Sequence, residues 1–131
     1  MLSVSREDIL DLHDLVLENS GTLSVPGVIN PGMLDSCLEK YTEGDPWVPQ
    51  VEDRFVKIAA LLRCLILFHP FVDGNKRTAI VTAITLLRKS GYIFECEIEE
   101  VIIVLIQVAI GTVEVEEIAE WLRSHSNPIV L

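Results

Sequence analysis

Two stretches constrain this chain more than any other feature: "FVKIAALLRCLILF" (55–68) and "TAIVTAITLLRK" (78–89). Both have the length and content of helices, and the first is apolar around nearly its whole circumference. A helix of that kind is buried inside a fold and does not float on its surface. The first stretch is interrupted by Arg63 and ends at His69-Pro70, too short to span a bilayer. No membrane role is expected. Between the two lies a short polar interruption, residues 69–77, in which an apolar protein would display its chemistry.

The rest of the chain reads as further helices. Ser5 and Asp8 resemble a capping box, with Asp in place of the usual Glu, ahead of "REDILDLHDLVLEN". Ile9, Leu12 and Val16 fall on one face of that segment, and Gly21 stands where a C-cap would. His13 falls on or beside the stripe and is expected to be a packed or surface histidine, since no second ligand sits one turn on. After the turn-rich residues 20–32, Asn30-Pro31 predicts an N-cap and first helical residue for a short helix to about Tyr41. The loop "TEGDPWVPQ" carries Trp47 as an aromatic plug over the core. A long helix is expected from Val51 to Phe68. In the second apolar stretch Thr78, Thr82 and Thr85 share a side, where buried hydroxyls would bond to carbonyls one turn back. Arg88, Lys89 and Gly91 close it. "YIFECEIE" suggests a short extended piece, "EEVIIVLIQVAIG" a helix ending at Gly111, and "VEVEEIAEWLRSH" a final amphipathic helix with Val115, Ile118, Trp121 and Leu122 inward. Residues 1–131 then form one all-α domain, a compact helical bundle, with disorder expected only in the last few residues.

Charge narrows the function. Ten basic residues stand against twenty acidic ones, a formal net charge of −10. That balance argues against nucleic acid as a partner, because phosphate-backbone affinity rests on many Lys and Arg contacts. The N-terminus lacks the basic-then-apolar pattern of a signal peptide. Cys37, Cys64 and Cys96 are odd in number and form no C-x-x-C pair, so reduced thiols in a cytoplasmic protein are expected, with Cys64 in the core.

In so acidic a chain, Lys76 and Arg77 stand side by side where a helix begins. Helix N-termini carry partial positive charge and favour Asp or Glu, so this pair has the wrong sign unless an anion binds opposite. The loop "FHPFVDGNKRTA" (68–79) offers the means to bind one. Pro70 stops the preceding helix, and Gly74 relieves the backbone at the turn. The N–H groups of Gly74, Asn75, Lys76 and Arg77 can converge as anion-binding helix ends do. Lys76 supplies a point charge and Arg77 a planar fork suited to phosphate oxygens. His69 can take a proton from a hydroxyl nucleophile, and Asp73 can hold Mg²⁺ or orient that hydroxyl. The competing reading is a plain helix–helix turn with a capping Asp and a satisfied His.

The eleven residues "HPFVDGNKRTA", His69 to Ala79, resemble without a gap the signature of the Fic/Doc superfamily, H-P-F-x-D/E-G/A-N-G/K-R. They are most similar to the Doc (death-on-curing) branch, in which Lys replaces the Gly of AMP-transferring Fic enzymes and R-T-A follows. "LHDLVLENSG", "VINPGMLDSCLEK" and "GTVEVEEIAEWLR" resemble other Doc segments. The resemblance implies a Fic/Doc-type helical core using ATP and Mg²⁺, and a toxin transferring the γ-phosphate to a protein hydroxyl, the family's known target being a translation elongation factor. It implies His69 as catalytic base, Asp73 as the metal-holding or substrate-orienting acid, and Asn75, Lys76 and Arg77 as the phosphate holders, to which the loop reading adds the Gly74 N–H. It also implies restraint by a separate Phd-like antitoxin.

Two departures stand out. Leu67 and Phe68 precede His69 where the Doc pattern has a basic residue. The self-inhibitory Fic motif S/T-x-x-x-E-G/N is missing, since "TVEVEE" (112–117) ends in Glu117. Two rival functions remain from the sequence: a Fic-like nucleotidyltransferase that moves AMP, against which Lys76 speaks, and a non-enzymatic Doc relative acting as a binding module, against which the intact His69, Asp73, Asn75 and Arg77 speak.

Overall fold

A computed structural model describes residues 4–19, 27–28, 30–42 and 53–130. The described elements are helices α1 (Arg6–Glu18), α2 (Pro31–Thr42), α3 (Arg54–Phe68) and α4 (Asn75–Lys89), strand β1 (Tyr92–Phe94), helices α5 (Ile98–Ala109) and α6 (Val115–Ser124), and strand β2 (Ser126–Pro128). Among the described residues the fold is all-α but for one short antiparallel pair and one isolated bridge, Val28 to Phe71.

α3 is the central helix, as its all-round apolar sequence requires. It packs against α2, α4, α5 and α6 and buries Ile58, Ala59, Leu61, Leu62, Cys64, Leu65 and Ile66. Asp53 caps it by accepting the Phe55 N–H at 2.9 Å. Arg63, the charge within the apolar run, reaches out: its Nε donates to Val113 O at 3.1 Å and its guanidinium lies 3.6 Å from Glu114. α4 lies on α3 and on α1. Its last turn carries Arg88 and Lys89, and the chain turns at Gly91 with φ 93°.

The capping box of α1 is present, Asp8 N–H to Ser5 Oγ at 3.1 Å and Ser5 N–H to Asp8 Oδ2 at 2.9 Å. So is the Asn30 cap of α2, whose Oδ1 accepts the Met33 N–H at 3.1 Å. α1 is capped at its C-terminus by Asn19, two residues before Gly21. The Asn19 backbone and side-chain N–H groups both reach Leu15 O, which ends the helix without a glycine. Gly21, Trp47 and the Val51 start expected for the third helix lie outside the described residues.

Three expectations fail. Near the C-terminus, where disorder was expected, residues 126–128 form a strand: Tyr92, Ile93 and Phe94 pair with Pro128, Asn127 and Ser126. Cys37 and Cys64 are not reduced thiols but a disulfide joining α2 to α3, Cα atoms 5.5 Å apart, which leaves Cys96 free. Both sulfurs sit in the core, where the helices are close-packed. Of the threonines, only Thr85 bonds one turn back, to Val81 O at 2.8 Å. Thr78 and Thr82 have buried hydroxyls with no partner among the described residues.

α5 differs from the other helices. Only Leu105 and Val108 are buried, while Ile98, Ile102, Ile103 and Ile106 face solvent. Among the described residues no helix is long and apolar enough to cross a membrane.

Candidate active site

The loop between α3 and α4 has a buried frame and an exposed set of reactive side chains. α3 ends at Phe68 because Pro70 lacks an N–H and disfavours helical backbone in the residue before it. His69 takes the C-cap in the left-handed region, φ 44° and ψ 62°, the one non-glycine residue of positive φ among those described. Such a conformation costs on the order of 1–3 kcal/mol and persists only where neighbours hold it.

The neighbours are Pro70 and Phe71, both buried. Asn30 N–H donates to Pro70 O at 3.2 Å, and Val72 N–H donates to Gly27 O at 3.1 Å. These bonds bridge Val28 to Phe71 and tie the loop to the segment ahead of α2. Asn75 closes the turn from within. Its Oδ1 accepts the Phe71 N–H at 3.0 Å, and its Nδ2 donates to Phe71 O at 2.9 Å. His13 reaches in from α1, its Nε2–H donating to Asp73 O at 2.8 Å. Its ring stacks on Phe71, centroids 3.8 Å apart and planes 11° from parallel.

Gly74 then supplies a second left-handed residue, φ 78°, as the N-cap of α4. A Cβ there would lie 3.5 Å from both Val16 and Leu17. The first ladder bond of α4 runs from Thr78 N–H to Gly74 O at 2.9 Å. The N–H groups of residues 75–77 precede it and lie at the helix's positive end.

On this frame His69, Asp73, Lys76 and Arg77 are all exposed. Two of the expected phosphate contacts are altered. Gly74 N–H is already engaged by Asp73 Oδ1 at 2.8 Å. The Asn75 side chain, 8% exposed, is committed to Phe71, so only its backbone N–H is left to face an anion. The remaining donor set combines a carboxylate, two cationic side chains and a helix N-terminus. Its hard oxygen and its positive charges suit a phosphate chain carrying Mg²⁺, which keeps several waters and binds through one or two carboxylates.

Sequence reasoning left His13 as a packed or surface histidine; it is packed, 3% exposed. Its hold on the Asp73 carbonyl was missed. The signal was its position on the Ile9–Val16 stripe, because a buried imidazole needs a hydrogen-bond partner. The contact of Gly27 and Asn30 with the loop had no such signal.

A family model described as "Fic/DOC family" matches residues 3–87. The chain is also similar to a protein of Escherichia phage P1 named protein kinase doc, with 29% identity over 124 residues, 94% of each chain.

Proposed function

The chain belongs to the Fic/DOC family, and on that premise we propose that it is a Doc-type toxin that transfers the γ-phosphate of ATP to a Ser or Thr hydroxyl of a target protein. The observation that carries the reading is the division within the loop: a buried Pro70-Phe71-Asn75 frame presents exposed His69, Asp73, Lys76 and Arg77. A bare structural turn has no need of four exposed functional groups on a strained, clamped backbone. The name of the phage relative supports phosphoryl transfer over nucleotidyl transfer.

In this reading His69 accepts the proton of the attacking hydroxyl, and Asp73 holds Mg²⁺ or orients that hydroxyl. Lys76, Arg77 and the first N–H groups of α4 hold the phosphates. ATP with Mg²⁺ supplies the transferable phosphoryl group and neutralises charge developing on its oxygens. A translation elongation factor is the first target to try. A Phd-like antitoxin in trans is the proposed restraint, and the exposed isoleucines of α5 offer it an apolar surface.

The test is isotopic. Purified elongation factor incubated with the protein, Mg²⁺ and γ-labelled ATP takes up label, gains one phosphate in mass, and takes up none from α-labelled ATP. His69→Ala lowers the rate by about 10²–10⁴, with the melting temperature little changed. A mass gain of one AMP would replace this reading with the nucleotidyltransferase.

A further inference from the structure

Away from the loop, three side chains with metal-binding chemistry meet where the β1–β2 pair joins α5 and α6. Cys96 lies in the link between β1 and α5, and Glu100 stands one turn later, in the first turn of α5. His125 arrives from the far end of the chain as the residue between α6 and β2. It is delivered by strand pairing: Phe94 is opposite Ser126, and Glu95 N–H donates to His125 O at 2.8 Å.

The donor atoms converge. Cys96 Sγ lies 2.8 Å from Glu100 Oε2, and His125 Nε2 lies 3.0 Å from that same oxygen. One ligand atom from each residue falls within 4.8 Å of the other two. Tetrahedral Zn²⁺, with bonds of about 2.0–2.3 Å, places its donors roughly 3.3–3.8 Å apart. Small side-chain rotations therefore open this triangle around an ion.

The surroundings are also those of a ligand set. His125 Nδ1 lies 2.9 Å from Trp121 O. A carbonyl only accepts, so Nδ1 donates to it, and Nε2, 3.0 Å from the Glu100 carboxylate, would turn its lone pair to an ion that displaces the proton shared between them. A backbone carbonyl fixing the distal ring nitrogen is the usual support of a metal-bound histidine. Trp121 Nε1–H is a buried donor without an oxygen or nitrogen partner among the described residues, and it lies near the Cys96 sulfur. The triangle opens into a shallow pocket also lined by Glu95 and Glu97, which leaves solvent access for a fourth ligand.

We infer that Cys96, Glu100 and His125 form a Zn²⁺-class binding site, with water as the fourth ligand, which fastens the β1–β2 pair to the start of α5. A sulfur, an imidazole nitrogen and a single carboxylate suit Zn²⁺ and not Mg²⁺ or Ca²⁺, which take all-oxygen sets. On binding, the Cys96 thiol proton passes to the buffer as the Zn–S bond forms.

The experiment uses the whole chain, treated with chelator, freed of it under nitrogen and kept without reductant so that Cys96 is the one free thiol. Zn²⁺ titrated in a calorimeter binds one per chain and raises the melting temperature. Co²⁺ in its place gives a thiolate-to-cobalt charge-transfer band, which Cys96→Ser abolishes. His125→Gln and Glu100→Gln each weaken Zn²⁺ binding at least as much as loss of a supporting residue does, about 10–100-fold. The inference is overturned if Zn²⁺ does not saturate at one per chain, or if Cys96→Ser binds it as tightly as wild type. It is overturned equally if the triangle proves to be only a protonated His125 paired with Glu100, insensitive to added metal.

Discussion

At the scale of single residues, the α3–α4 loop separates buried groups that shape it from the exposed groups proposed to act. Asn75 and Lys76 are neighbours in sequence and opposite in role. Asn75→Ala would leave the buried N–H and C=O of Phe71 without partners, each such loss costing about 1–3 kcal/mol. The variant is expected to melt several degrees lower and to lose transfer as the loop relaxes. Lys76→Ala should melt like wild type and instead bind ATP more weakly in calorimetry, by the roughly 1.5–3 kcal/mol of a charged hydrogen bond. The reverse pattern would exchange their roles. The groups proposed to act could be picked out in the sequence because residue type alone announces what His69, Asp73, Lys76 and Arg77 can do, and the structure places all four exposed on the loop. The shaping groups could not, because their meaning lies in a partner. Nothing local to His13 points to the carbonyl of Asp73, sixty positions on.

At the scale of elements, the helices were legible where their own ends and faces define them. The Asp8 carboxyl is held below its ordinary range by the Ser5 backbone N–H and then by the Ser5 hydroxyl. A depressed folded-state value means stability that is full above the unfolded value, near 3.9, and lost as pH falls below it. Against Asp8→Ala, wild type should be more stable at neutral pH by on the order of 0.5 kcal/mol, the low end for a cap because the group is exposed. In urea unfolding at stepped pH that gap should narrow steadily as pH falls below about 3.9. A constant gap would detach the effect from the carboxylate. α5 supports a second expectation. Asp at both Ile102 and Ile106, 51% and 48% exposed, should cut binding of a hydrophobic dye while barely moving the melting temperature. β2 was beyond sequence reading, since Ser126-Asn127-Pro128 has no strand character and is extended only because the edge of β1 offers it partners.

At the scale of the whole molecule, the bond between Cys37 and Cys64 ties α2 to the central helix across 27 positions. No spacing rule pairs two such cysteines, and an odd count pointed to free thiols. Only the packing of α2 on α3 brings them together. Thiol titration of the unfolded, unreduced chain should find one group, and three after reduction. Closing a loop of this length is worth about 3–4 kcal/mol through the unfolded state, so reduction should lower the melting temperature clearly. Three thiols at the outset would remove the bond from the description. The bond also makes a closed ring of the chain from Cys37 to Cys64, with two tails. A protease that cuts one peptide bond anywhere inside that ring severs the polypeptide without releasing either piece. The nicked protein would run as a single species on a denaturing gel and fall into two only when a reductant is added. An intact band on such a gel would therefore say nothing about whether the backbone between α2 and α3 is whole.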